Sequence, residues 1–388
     1  MRQNVRQNPM KRKESGLGLV EIMVGLVIGL ITIMVIGQVA AEFEGQKRTS
    51  TGGGDAQSNG AAALFLLERD IRMAGYGLMS STSGQICPLG INIYFNGTVV
   101  SNPGANPADG GILAPVRVID GGGDNPDAIV MVRGDSPMGI MPTTIIKDMP
   151  NASSIIRVNW GGSMQQGQLF LVGARDGSKV CTLMQLSQDP QPVQAGTEFD
   201  LQHNPGPYPY NPPNPNQVFA DAPAYGIGDI VINLSSLNYQ RYSVLCNQLT
   251  LVDPSRTAAP YTCTNTEPLV DQIVNVQARY GVAPAGSLTV NEWVEPTGIW
   301  AANTLTAAQI SRILAVRVAV LARSPQMEKE EVEATCNGGS GSIALWAGGP
   351  TVAVSGDECR YRYKVFETVV PIRNSIWGCG QANVPCAP

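Results

Sequence analysis

The chain has 388 residues, 43% of them hydrophobic, which is enough to build one large core or two ordinary ones and excludes a disordered chain. Only 15% are charged, while Gly and Pro number 43 and 28, a balance that favours strands and long turns over a bundle of solvated helices. The formal charge is −5, yet residues 1–16 hold Arg2, Arg6, Lys11, Arg12 and Lys13 against Glu14 alone, so the remainder is acidic at −9 and offers no phosphate-tracking stripe for nucleic acid.

The first element follows that basic tip. Residues 17–41, LGLVEIMVGLVIGLITIMVIGQVAA, carry no charge apart from Glu21. As a helix they span roughly 37 Å, enough to cross a hydrocarbon core of about 30 Å. Cations precede the segment and Glu42 and Glu44 follow it, so the positive-inside rule places the N-terminus in the cytoplasm and the body outside. A cleavable secretory signal has an apolar stretch of about 7–15 residues; this one is longer, although Val39-Ala40-Ala41 has the form of a cleavage site.

An acid within such a segment is costly, about 2.5–3.5 kcal/mol at the bilayer centre, and is a functional candidate for that reason. Its bland reading is that it snorkels to the headgroups. A cut after Gly16 gives it a sharper one: the new α-amino group of Leu17, with a reference pKa of about 7.7–8, lies one turn from Glu21. The pair forms within one chain or between neighbours. Between neighbours it sets a register, because a mismatched subunit leaves the acid unpaired in lipid. Gly25 and Gly29 form a G-x-x-x-G pair that permits close helix approach, although membrane helices also use glycine for no such purpose.

A short basic leader, Gly16 at the cut, an apolar helix and Glu21 fifth after the cut resemble the class III prepilin signal of type IV pilins and type II secretion pseudopilins. Leu17 stands where Phe is usual, and Gly18 where Thr or Ser is common. The resemblance implies cleavage between Gly16 and Leu17 by a prepilin peptidase, N-methylation of Leu17, and pairing of Glu21 with the N-terminus of an adjacent subunit.

Helical spacing returns in AAALFLLERDIRMAGYG, where Leu64, Leu67, Ile71 and Ala74 share one face, Glu68 and Arg72 pair on another, and Gly75 and Gly77 end the helix. The resemblance to pilins, which carry one long N-terminal helix packed on the body by its second half, implies one helix over 17–74. Gly52–Gly54 are its weak point, since each Gly costs about 0.8–1 kcal/mol in a helix interior, and a flexible linker there is the competing reading. The stretch LERDIRMAGYG is similar to the end of this helix in minor pilins of the PilW type. VDQIVNVQARYGV (270–282), RILAVRVAVLARS (312–324) and YRYKVFETVVPIRNSIW (361–377) resemble the same family in the same order.

Alternation reads 312–323 as a strand with Leu314, Val316, Val318 and Val320 on one face and Arg317, Ala319 and Arg323 on the other, and 360–370 as another. One covered and one wet face point to an antiparallel sheet. Further strands are expected at 126–133, 167–172, 228–234 and 247–252. The run HNPGPYPYNPPNPNQ (203–217) is too rich in proline for a central strand and reads as an exposed loop; a solvated insertion is the favoured reading, and a partner contact through Tyr208 and Tyr210 the competing one.

Eight cysteines, none in a C-x-x-C pair, fit disulfides in an oxidising compartment better than zinc. Proximity pairs Cys379 with Cys386, Cys246 with Cys263 and Cys336 with Cys359, leaving Cys87 with Cys181. His203 lies in the proline-rich loop without a neighbouring acid, which disfavours a hydrolase, and no P-loop occurs. Asp120, Asp124 and Asp127 do not match an EF-hand and read as a turn, so no metal and no cofactor is expected.

The expected architecture is α+β and pilin-like: a basic leader (1–16), a transmembrane half-helix (17–41), an extracytoplasmic half (42–76) and a β-rich body (77–388) with an antiparallel sheet and long loops. The function that the resemblance implies is that of a non-catalytic minor pilin in a priming or tip complex of a type IV pilus. Its partners are the prepilin peptidase, other minor and major pilins, a pilus tip adhesin and the inner membrane, not nucleic acid. It sits in the bacterial inner membrane with a periplasmic body before joining the pilus. A minor pseudopilin of a type II secretion system shares everything up to residue 41, but the 361–377 ending argues against it. A membrane-anchored surface adhesin or binding protein is the competitor from another class.

Overall fold

The computed structural model describes residues 18–80, 84–85, 87–101, 114–136, 142–161, 163–257 and 259–378. The N-terminal helix runs from Leu19 to Met73, and its helical hydrogen bonding continues through Gly52–Gly54. The chain divides into two compact units at that point, Met1–Gly52 and Gly53–Pro388. Gly16, Leu17, Cys379 and Cys386 lie outside the described residues.

In the first unit every large apolar side chain from Leu19 to Val39 is exposed, and Thr32, the hydroxyl within the run, returns its proton to the Ile28 carbonyl at 2.7 Å. A hydroxyl bonded to its own helix presents no unsatisfied group to an apolar solvent. This helix is long and apolar enough to cross a membrane and is a candidate anchor.

In the second unit the described strands form sheets of nine, five and four strands and two hairpins. The four-stranded sheet orders Glu292–Val294, Ile273–Val282, Ile313–Arg323 and Tyr363–Pro371, all antiparallel. The five-stranded sheet orders Glu267–Asp271, Gln248–Val252, Leu237–Leu245, Ala128–Gly134 and Val116–Ile119. It is a middle layer. Val116, Val118, Ile129 and Met131 face a core shared with the helix and the four-stranded sheet, whereas Val130, Val132, Leu237 and Tyr239 face a second core shared with the nine-stranded sheet. Both faces of Ala128–Gly134 are thus apolar, as a strand covered on two sides requires.

The strands expected at 126–133, 167–172, 228–234, 247–252, 312–323 and 360–370 are present as Ala128–Gly134, Leu169–Gly173, Ile230–Ser235, Gln248–Val252, Ile313–Arg323 and Tyr363–Pro371. The wet face expected for Ile313–Arg323 is a correction: a hairpin of Ser340–Ala344 and Thr351–Ser355 covers it, burying Ala319 and Leu321 against Ile343, Trp346 and Val354. The exposed loop expected at 203–217 is corrected in part: 204–207, 213, 216 and 217 are exposed, but its remaining positions are not. His203, Tyr210 and Asn211 are buried, because the Asn211 side chain stands in for a neighbouring strand, accepting the Gln185 N–H at 2.8 Å and donating to the Gln185 carbonyl at 2.7 Å. Tyr208 donates to the Ser187 carbonyl and Tyr210 packs on Phe95 with ring centroids 5.0 Å apart, so the fold itself uses both tyrosines.

Three disulfides join Cys87 to Cys181, Cys246 to Cys263 and Cys336 to Cys359. The first ties the segment before Ile91–Phe95 to the start of Cys181–Gln185, two strands that pair in parallel.

Candidate functional site

Glu21 occupies the first turn of the N-terminal helix, and Gly25 and Gly29 follow one turn apart; among the described residues, nothing beyond their own helical turns lies within 4 Å of where a Cβ would stand. An uncovered pair of this kind leaves room for another backbone at close range.

In the second unit the helix docks on the body through a seam of small and apolar residues. Ala56, Gly60, Ala63, Leu67, Asp70, Ile71 and Ala74 are buried, spaced three or four apart so that they form one stripe. Leu67, Ile71 and Ala74 take the expected place on it, while Leu64 is only partly buried at its margin. Gly60 is required by closeness: a Cβ there would stand 2.1 Å from the ring of Phe366, which the strand Tyr363–Pro371 presses against the helix. Glu68 and Arg72 form their ion pair outside the stripe.

Asp70 is the one acid on the buried stripe, 1% exposed. Arg69 donates to both of its oxygens, at 2.8 and 3.1 Å, and the Tyr242 hydroxyl from the five-stranded sheet donates to Oδ2. Burial opposes the charge, but the bonds from Arg69 and Tyr242 outweigh it and hold the carboxyl below its usual range. Burial and the neighbouring carboxylate push the Tyr242 hydroxyl up, so it remains a donor.

The helix end is fixed by two further segments. Gly75 and Gly77 adopt positive φ, 77° and 81°, a region that L side chains avoid. The Gly75 N–H donates to Val132 O, and the Gly134 N–H to Tyr76 O, both at 2.8 Å, so the chain leaving the helix is stitched to a strand of the middle sheet. From the other end of the sequence, the Asn374 amide donates to the carbonyls of Met73 and Ala74 at 3.2 and 3.0 Å, satisfying acceptors that a helix C-terminus leaves open. LERDIRMAGYG, Tyr242 and the PIRN of the last motif thereby meet at one place. Asp70, Tyr242 and Asn374 escape a reading of the sequence. The only signal for Asp70 is an acid in register with the apolar stripe.

On the outer face of the four-stranded sheet Arg279 and Arg317 stand directly opposite one another. Like charges so placed repel. Glu295 and Glu367 flank the pair as ion partners, and the ring of Trp346 lies over both guanidiniums, 5.0 Å from each to its centroid. The hairpin that carries Trp346 is tethered by Cys336–Cys359.

The remaining candidates serve the backbone. Asp120 accepts Gly122 N–H at 3.0 Å, Asp124 accepts Ala353 N–H at 3.4 Å, and Asp127 accepts Gly121 and Ala278 N–H at 3.0 and 2.8 Å, which makes the segment a turn pinned to neighbouring strands. Burial pushes the Asp127 carboxyl up to about 7 against those two bonds. No group of three His, Cys, Asp or Glu side chains is placed to hold a metal among the described residues. The His203 ring makes its contact with the Ser154 carbonyl at 2.9 Å, and burial lowers its pKa.

No curated protein and no solved structure matches the chain. The family model described as type IV pilus-assembly protein W matches residues 238–374, a span that holds Tyr242, Phe366 and Asn374 and so most of the residues that receive the helix. Over that segment the chain is similar to the type IV pilus-assembly protein W family.

Proposed function

We propose that this protein is a minor pilin that helps to prime or tip a type IV pilus and does so by association, without catalysis. The observation that carries the reading is the union in one chain of the matched segment with a helix whose apolar side chains from Leu19 to Val39 are all exposed. Apolar surface on that scale needs lipid or other helices around it.

In this reading residues 1–16 are a leader removed by the prepilin peptidase between Gly16 and Leu17, and Leu17 becomes the methylated terminus. Residues 17–41 span the inner membrane with the N-terminus cytoplasmic, 42–76 carry the helix outward, and 77–388 form the periplasmic body. Glu21 pairs with the terminal amine of a neighbouring pilin, an arrangement that offsets two charges in a medium where neither is tolerated alone. Gly25 and Gly29 let helices of other pilins approach.

Intact-mass and N-terminal analysis of protein taken from native membranes tests the reading. The expected terminus is methylated Leu17. A terminus that retains residues of 1–16, or one near residue 42, refutes it, as does normal incorporation into fibres of a Glu21→Leu variant.

A further inference from the structure

A cleft of about 760 Å³ opens at one end of the five-stranded sheet, and neither the helix nor its docking stripe takes part in it. The strand Leu237–Leu245 supplies its floor. That strand pairs with Gln248–Val252 as far as Leu245 opposite Gln248, but its pairing with Ala128–Gly134 stops at Tyr242 opposite Ile129. Asp127, next in line, turns away and donates its N–H to Val276 O at 2.8 Å. Among the described residues, Ser243–Leu245 therefore present an open sheet edge. In this register Leu245 and Ser243 bond toward Gln248–Val252, which leaves the N–H and C=O of Val244 directed into the cleft.

The walls suit an extended chain lying against that edge. Pro126, Pro260 and Pro296 come from three different loops, and prolines offer apolar surface with no N–H to compete for the strand's acceptors. The loop that bears Pro260 is closed by the Cys246–Cys263 disulfide across 17 residues, and its Tyr261 ring lies beneath the Arg241 guanidinium at 4.9 Å to the centroid. A wall fixed before binding lowers the ordering cost of the complex. A smaller cleft of about 350 Å³ adjoins it and shares Ala259 and Tyr261.

We propose that this cleft binds an extended peptide segment of a partner protein, which adds to the open edge at Val244 as a short further strand and places an apolar side chain among the three prolines. Main-chain bonds hold such a segment and the pocket selects its side chain, the division of labour of strand addition. The proposal stands apart from the helix and its membrane reading, so the failure of one leaves the other intact.

The test pans a phage library of random peptides on the full-length protein in nanodiscs. Enriched peptides are expected to bind one to one, to slow amide exchange at residues 243–245, and to bind Thr297→Arg at least tenfold more weakly. Thr297 is exposed on the rim of the cleft, so its replacement spares the core; Ala302→Arg, on the same wall, is the second blocking variant, and Ala334→Arg, at an exposed position that does not line the cleft, is expected to bind as wild type. Peptides that bind both blocking variants normally, or leave exchange at 243–245 unchanged, overturn the proposal. So does a library that yields no enriched peptide, including the case in which a glycan array yields a sugar that Thr297→Arg releases.

Discussion

The buried charge at Asp70 gives the sharpest test of how the helix is held. Tyr242→Phe keeps the ring and deletes only the hydroxyl. A hydrogen bond to a charged group is worth about 1.5–3 kcal/mol, and Asp70 keeps both Arg69 bonds, so the loss falls near the lower end. Asp70→Leu removes three bonds at once and leaves the Tyr242 hydroxyl without a partner in a site where the residue is 2% exposed. The stranded hydroxyl costs about 1–3 kcal/mol. The half-exposed Arg69 guanidinium returns to water, so its share is about 0–1 kcal/mol, and the variant loses about 1–4 kcal/mol in all. In the double variant nothing is stranded, which predicts a coupling of about 1–2 kcal/mol between the two sites. Urea denaturation of the full chain in detergent, followed by tryptophan fluorescence, measures all four corners of the cycle. Because the Asp70 carboxyl sits below its usual range, its contribution is present above the unfolded value of 3.8 and is lost as pH falls through the folded one. The coupling should therefore fade at acid pH. A coupling under about 0.5 kcal/mol at neutral pH refutes the assignment of Asp70 as an anchor.

Gly60→Ala should destabilise despite a helix-propensity gain of about 1 kcal/mol, since the new methyl meets the Phe366 ring at 2.1 Å and overpacking costs about 1–3 kcal/mol; a raised melting temperature would refute the close approach. Asn374→Ala uncaps the helix end and should cost about 1–2 kcal/mol by chemical denaturation, with faster amide exchange across residues 73–78 as its local sign. Asp127 has a folded pKa raised to about 7 from 3.8, so its contribution is full below the lower value and lost as pH climbs through the higher. The denaturation midpoint should decline over that window, and the decline should vanish in Asp127→Asn.

The sequence displays elements whose signal is local. The apolar run, the end of the helix at Gly75 and the alternation in Ile313–Arg323 were each legible because a period of 3.6 or 2, or a glycine, marks them within a few residues. What brings the elements together is not local. Tyr242 lies 172 residues from Asp70 and Asn374 lies 301 from Met73, and nothing near either residue announces its partner. The covered outer face is hidden in the sequence for a related reason. Arg279 and Arg317 look like solvated positions until a tryptophan from another hairpin is laid over them, and hydropathy alone cannot distinguish a charge facing water from one neutralised beneath an indole ring. His203 and Asn211 are buried within a proline-rich run because proline excludes a strand but does not exclude burial.

The side-chain sizes along the one long helix show how its two parts divide their work. From Leu19 to Val39 the positions are mostly Leu, Ile, Val and Met on every side, a pattern that no single protein face selects and that a uniform apolar surround accepts. From Ala56 onward one stripe narrows to Ala, Gly and Ala before it widens to Leu67 and Ile71. That sequence of sizes follows the body's surface, because Phe366 protrudes where Gly60 recedes and the interior has room again nearer Tyr242. Enlarging the stripe at Gly60 would push helix from sheet. Enlarging Gly25 or Gly29 would meet nothing among the described residues outside the helix's own turns, so in the proposed assembly a neighbouring pilin is what would feel it. A substitution at either of these two that leaves stability unchanged while it weakens assembly is the signature of a helix built to serve its own body at one end and its neighbours at the other.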